Sequence, residues 1–210
     1  MQKRNLFIDV DDVVLNSSKA AINIFNKKFN LSPEKSFEDI SGWSYKSICE
    51  DITKKDIIEA FESDEFWDSV TINEYFKNLI NNKVIEKYCK ICFSTRGTEK
   101  NLKKKRIMLT KFMEGNALKN LEWEFIGIDT KIYSEDHGKK HVNMKYGIQI
   151  DDNINYLNTN ADVKILVTNG IETDYNCYNH EEAINKENLY IVSSLKEAEE
   201  IITFFIVNDF

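Results

Sequence analysis

The chain has 210 residues, a length that supports one core plus some additional material and needs no disulfide or metal in order to fold. Hydrophobic residues make up 42% and charged residues 30%, with one proline and seven glycines, which excludes disordered, collagen-like and low-complexity classes. The net charge of −7 argues against broad nucleic-acid binding, whose affinity comes from Lys and Arg on phosphates, yet leaves room for a local basic pocket.

Lys3 to Val10 reads as a strand, a short apolar run that ends among the acids Asp9, Asp11 and Asp12. No apolar run of membrane-spanning length occurs, and the first residues lead straight into this strand, so a cytoplasmic protein is expected. A helix follows from Ser17 or Ser18, with Ala21, Ile24, Phe25 and Phe29 at helical spacing and Pro33 closing it. Residues 34 to 70 are mixed and aromatic-rich, with a short helix from Thr53 through Phe61. Thr71 and Glu74 form a capping-box pattern before Ile72, Tyr75, Phe76, Leu79 and Ile80, which repeat on one helical face.

The second half alternates. Strands are expected at Lys87 to Phe93, Glu122 to Ile128, Gly147 to Ile150, Val163 to Val167 and Leu189 to Val192. Helices are expected at Thr98 to Glu114, Gly138 to Lys145 and Ser194 to Phe205, the last opened by a Ser194–Glu197 capping box. Such alternation predicts an α/β fold, a Rossmann-like parallel sheet covered on both sides. About 80 residues separate the first two strands, far more than a crossover helix needs. The excess predicts a small helical cap, residues 16–86, inserted into a core domain of residues 1–15 and 87–210.

Cys89 and Cys92 form a CxxC, but the pair lies inside an apolar strand, where positions three apart face opposite sides. Reduced, buried thiols are expected rather than a redox or zinc pair. His137 and His141 lack a third ligand and read as surface residues. The run Lys103 to Arg106 points all round a helix and reads as a solvated face.

In an open parallel sheet, ligands bind beyond the carboxyl ends of the strands. Those ends carry Asp9, Asp11 and Asp12, then Ser94, Thr95 and Arg96, then Asp151 and Asp152, with Lys139 and Lys140 ahead of the last pair. Clustered carboxylates repel and call for a hard cation, for which Mg²⁺ is suited. On a regular strand Asp9 and Asp11 leave the same face, one placed to attack phosphorus and the other to move a proton. Ser94 can hydrogen-bond phosphoryl oxygens, and a lysine can offset negative charge. Arg96 reads equally as a phosphate ligand or a helix cap, and Thr95 beside it is a further substrate-binding candidate. Trp43, Tyr45, Phe66 and Trp67 could stack on a base, although aromatics of this kind more often form cap core.

These residues resemble the four motifs of the haloacid dehalogenase-like (HAD) phosphatase superfamily. Asp9-Val10-Asp11-Asp12-Val13 matches the first, Ile91-Cys92-Phe93-Ser94 the second, Lys139 or Lys140 the third, and Ile148 to Asp152 the fourth. The resemblance implies that Asp9 is a nucleophile forming an aspartyl-phosphate. Asp11 is then the general acid/base and lends a backbone carbonyl to Mg²⁺. Asp152 is a direct metal ligand and Asp151 supports the site or binds through water. Spacing to the acids prefers Lys140 over Lys139. The insert falls where the superfamily carries its type 1 cap. Finer details, Asp-Val-Asp-Asp-Val-Val and Phe66-Trp67 among them, resemble the 5′(3′)-deoxyribonucleotidase group, whereas Thr71 to Glu74 departs from that group's usual Pro and Gly.

The function expected is a Mg²⁺-dependent phosphomonoesterase on nucleoside or deoxynucleoside monophosphates. Rival readings are a sugar-phosphate phosphatase, a polynucleotide 3′-phosphatase, or a module that holds phosphate without turnover. The expected partner is a small phosphorylated substrate, with no membrane and no stable nucleic-acid complex; a homodimer stays open.

Overall fold

A computed structural model describes residues 3–115, 121–132, 138–174, 176 and 188–208. Its centre is a six-stranded, all-parallel sheet in the order β3-β2-β1-β4-β5-β6. The strands are β1 (Arg4–Ile8), β2 (Cys89–Gly97), β3 (Trp123–Asp129), β4 (Gly147–Asp151), β5 (Val163–Val167) and β6 (Leu189–Val192). From β1 the chain moves outward through β2 to β3, then crosses back to β4 on the other side of β1 and moves outward again to β5 and β6. The carboxyl ends of β1 and β4 therefore frame the crevice where strand order reverses.

Alternation along the strands assigns the two faces. Leu6, Ile8, Ile91, Phe93, Ile148, Ile150, Val163 and Ile165 face one large core. Helices α6 (Glu99–Gly115) and α7 (Leu195–Val207) cover that side through Leu109, Met113, Ala198 and Ile202. Phe7, Cys92 and Leu166 face the opposite side. Among the described residues that face is covered by Met144, Ile154 and Leu157 and by 3₁₀ turns at Gly138–His141 and Ile154–Leu157. The helix expected from Gly138 to Lys145 is thus a single tight turn.

The material between β1 and β2 divides by packing. Helices α1 (Ser17–Lys28), α2 (Lys54–Glu62) and α3 (Asp64–Ser69) pack on one another. Helices α4 (Glu74–Asn81) and α5 (Lys83–Tyr88) pack on α7, and α5 also on β2, so the end of the expected insert sits on the sheet. Helix α2 starts on a Thr53–Asp56 capping box. Helix α4 starts on Asn73, whose side chain accepts from the Tyr75 amide, and not on Thr71; the intervening Ile72 pairs with Leu15 as an isolated antiparallel bridge. That bridge, with Asn16 N–H to the Thr71 carbonyl at 2.9 Å and Asn73 N–H to the Val14 carbonyl at 2.8 Å, ties the outgoing and returning segments together. Among the described residues, no helix is long and apolar enough to cross a membrane.

Cys89 lies in the large core and Cys92 on the opposite face, as their spacing predicts. Burial pushes the Cys89 thiol up to about 12 and the Cys92 thiol upward as well; Cys92 donates to Glu124 at 3.0 Å. Cys49 is half-buried. Cys177, His137 and His180 lie outside the described residues, and His141 is exposed.

Candidate active site

Asp9 follows β1 directly, and its amide continues the ladder by donating to the Ile150 carbonyl at 2.9 Å. Because Ile8 pairs with Phe93 and with Ile150, the next positions, Asp9, Ser94 and Asp151, form one row across β2, β1 and β4, at the carboxyl ends of β1 and β4, while β2 runs on past Ser94 to Gly97. All three belong to the face of Phe7 and Cys92. The 3₁₀ turn at Gly138–His141 covers this face and delivers Lys139 into the row. Its buried ammonium donates to Asp9 Oδ1 and, at 2.7 Å, to Asp151 Oδ2. Lys139 thus takes the place that spacing preferred for Lys140, whose side chain lies outside the described part; a tight turn advances the chain differently from the helix expected there.

Asp151 is further fixed by the Asn153 amide at 3.1 Å. Oxygens of Asp9, Asp151 and Asp152 lie within 4.8 Å of one another. Burial lifts Asp9 to about 7, aided by the charges of Asp151 and Asp11 and opposed by Lys139 and Lys105. Burial also lifts Asp152 well above the usual carboxylate range, reinforced by Asp9, Asp151 and Asp12. Lys139 stays charged because the carboxylates of Asp151 and Asp9 outweigh its burial. Three hard carboxylates this close, with one lysine among them, form a donor set that fits an oxygen-liganded divalent cation.

Asp11 does not share the face of Asp9. The chain leaves strand geometry after Ile8, and the Asp11 carboxylate turns towards α1 and α6, accepting from Ser17 Oγ at 2.7 Å and from Lys105. Asp12 has a left-handed backbone (φ 53°), a conformation that Asp tolerates better than most residues. Its carboxylate accepts from the Ser18 amide at 2.8 Å and from the Ser18 hydroxyl, so it supplies the N-terminal cap that Asn16 does not give α1. Burial raises Asp12 to about 6 against those two hydrogen bonds. Asn169 donates to the Asp12 carbonyl at 2.8 Å and steadies the loop from the end of β5.

Strand alternation separates the hydroxyls of β2. Ser94 faces the acids; its Oγ is buried and has no hydrogen-bond partner among the described residues. Thr95 faces α6, is fully buried, and accepts from Lys105 at 2.8 Å, which corrects its reading as a substrate ligand. Arg96 donates to the Tyr156 hydroxyl at 3.1 Å, and the Lys139 ammonium lies 4.9 Å from the centre of the same ring.

Three of the four aromatic candidates, Tyr45, Phe66 and Trp67, pack in the core. Phe66 is fully buried and stacks on Phe61 at 4.9 Å between ring centres. Trp67 is half-buried and donates to the Phe61 carbonyl at 3.1 Å. Trp43 is 59% exposed and rests on Phe61 and Tyr45. The Tyr45 hydroxyl reaches Ser18 Oγ at 2.8 Å, which connects this cluster to Asp12.

Lys105 was hidden in the basic run. Its neighbours Lys103 and Arg106 are exposed and Lys104 pairs with Asp64, but Lys105 is buried beside Asp11. A signal was present: Asn101, Lys105, Leu109 and Met113 recur every four residues, and all are buried on one face of α6.

No family model matches the sequence, and no curated protein matches it. Solved structures do. The chain superposes on a haloacid dehalogenase-like family hydrolase from Streptococcus pneumoniae with a TM-score of 0.57 at 13% identity, covering 95% of this chain and 98% of that one. A Clostridium acetobutylicum protein described as a predicted phosphatase gives 0.58 at 16% identity, covering 98% and 100%. YfnB of Bacillus subtilis, described as a HAD-hydrolase candidate and solved bound to magnesium, gives 0.52 at 12% identity, covering 96% and 99%. At these identities the likeness is one of fold: this chain has the α/β, Rossmann-type architecture of the haloacid dehalogenase-like hydrolases.

Proposed function

We propose that this protein is a Mg²⁺-dependent phosphomonoesterase that works through an aspartyl-phosphate, with nucleoside or deoxynucleoside monophosphates as its substrates. The observation that carries the reading is the Ser94 hydroxyl. It is buried, without a partner among the described residues, on the side of the sheet that carries Asp9 and Lys139. Leaving such a group unsatisfied costs about 1–3 kcal/mol, and a phosphoryl oxygen would satisfy it.

Lys139 holds Asp9 Oδ1, which leaves Oδ2 to form the bond to phosphorus while the bond from phosphorus to the ester oxygen breaks. Asp11 gives its proton to the departing oxygen. Water then loses a proton to Asp11 and adds to phosphorus, and the Asp9–phosphorus bond breaks to return the carboxylate and inorganic phosphate. Asp9, Asp151 and Asp152, with the Asp11 carbonyl, would hold Mg²⁺, which would supply positive charge beside the carboxylates and the phosphoryl oxygens. Helices α1 to α3 are assigned the role of cap, closing over the substrate to exclude water and select the leaving group. Exposed Trp43, on that helical cluster, is the residue assigned to stack on a base.

The test is phosphate release from a panel of monophosphates with and without Mg²⁺: deoxy- and ribonucleotides, 3′- and 5′-isomers, sugar phosphates, 4-nitrophenyl phosphate and a 3′-phosphorylated oligonucleotide. Metal-dependent release that disappears in Asp9→Asn supports the reading, and preference for nucleotides supports the substrate class. A folded protein that releases phosphate from none of them overturns it.

A further inference from the structure

Lys105 is a buried charge to which the proposed chemistry gives no part. It lies mid-way along α6, 1% exposed, and its ammonium donates to Asp11 Oδ2, to Thr95 Oγ1 at 2.8 Å and to the Arg96 carbonyl at 2.9 Å. Those three acceptors use all three N–H donors, so the side chain is held in one position. Ser17, in the first turn of α1, donates to the other Asp11 oxygen at 2.7 Å. Asp11 therefore has one fixed donor on each oxygen, one from α1 and one from α6. Packing alone does not require this arrangement. An apolar side chain such as Leu109, one turn further along α6, would fill the space without taking an ammonium out of water.

We infer that Lys105 is a positioning residue for Asp11, fixing with Ser17 the rotamer from which Asp11 exchanges its proton. Each Asp11 oxygen keeps a second lone-pair direction, which serves the proton given to the leaving oxygen and later taken from water. The inference rests on the acid/base reading of Asp11 above. Proton transfer depends steeply on placement, with a displacement of 1 Å costing about 10²-fold. Loss of Lys105 frees the carboxylate to rotate. It leaves the groups assigned to the phosphoryl oxygens, Ser94 and Lys139, in place on the opposite face of the sheet.

The leaving group distinguishes positioning from general damage. A 4-nitrophenolate departs without a proton, whereas an alkoxide needs one. The value of kcat/KM reports steps through departure of the leaving group, so it isolates this half of the reaction. The experiment compares 4-nitrophenyl phosphate with the alkyl monophosphate that the panel shows to be turned over fastest, in wild type, Lys105→Met and Ser17→Ala. For Lys105→Met, kcat/KM for the alkyl ester is expected to fall at least about tenfold further than for the aryl ester. Inhibition by inorganic phosphate is expected to stay within about threefold of wild type. Ser17→Ala, a smaller change, shifts the alkyl-to-aryl ratio in the same direction and decides the matter if Lys105→Met does not fold. Equal losses for both esters, or an unchanged ratio in folded variants, overturn the inference and leave the phosphatase reading standing. A wild-type protein that releases phosphate from neither ester overturns both.

Discussion

Lys139→Met removes a buried ammonium while keeping nearly the same volume. The side chains it joins are themselves buried, Asp9 at 8% and Asp151 at 1% exposure. Without the lysine, those two carboxylates and Asp152 are left within 4.8 Å of one another. Removing one partner of a buried ion pair costs about 3–5 kcal/mol. Here one deletion strands two partners beside a third carboxyl group, so the upper end, about 5 kcal/mol, is expected when no divalent cation is present. A chain of this length loses about 2–4 °C of melting temperature per kcal/mol, which puts the fall at about 10–20 °C. Thermal unfolding followed by circular dichroism in a chelating buffer measures it. Adding Asp9→Asn to Lys139→Met removes one stranded charge and should recover more than about 1 kcal/mol relative to simple additivity. A single variant melting within about 2 °C of wild type, or strictly additive losses, would refute the account of Lys139 as the charge that balances the acids.

Ser94→Ala removes a buried hydroxyl without a partner, so the melting temperature should hold or rise; inhibition by phosphate should weaken by about tenfold, the value of one hydrogen bond to a charged group, and unchanged inhibition would count against Ser94 as a phosphate ligand. Asp152→Asn removes a carboxyl whose ionisation is opposed by burial and then by its neighbouring acids, so the metal-free protein should melt higher than wild type while losing the rise in melting temperature that Mg²⁺ is expected to give, both read in one thermal titration. Phe66→Ala opens a cavity among α1 to α3 and should cost about 3–5 kcal/mol in denaturant unfolding; a cost under about 1 kcal/mol would return Phe66 to the cleft. In thiol labelling at pH 8 of the native protein, Cys49 should react while Cys89 and Cys92 wait for unfolding, and rapid reaction of Cys89 would contradict its burial in the sheet.

Local pattern was enough to place much of this protein. The apolar runs ending in Asp9, Ser94 and Asp151 could be read as strands because strand period and burial on both faces leave a plain signature in sequence. A parallel sheet places such endings at one edge, so the row of acids and hydroxyl followed from strand order alone. The Ser194 cap of α7 and the opposite facing of Cys89 and Cys92 were equally local.

What the tertiary structure decided was partnership. Thr95 and Ser94 are adjacent in sequence and of similar chemistry, yet strand alternation turns one to Lys105 and leaves the other facing the acids. Lys139 and Lys140 could be separated only by the tight turn that carries Lys139 into the row. Lys105 looked solvated among its charged neighbours because composition does not show what a helix face meets; only the packing of α6 against the end of β2 brings it to Asp11. Asp11 itself left the face of Asp9 because the strand ends at Ile8, before the alternation on which that reading relied can reach it. Periodicity is a property of the chain and can be read along it. The pairing of buried charges depends on which elements fold together, and that was settled in three dimensions.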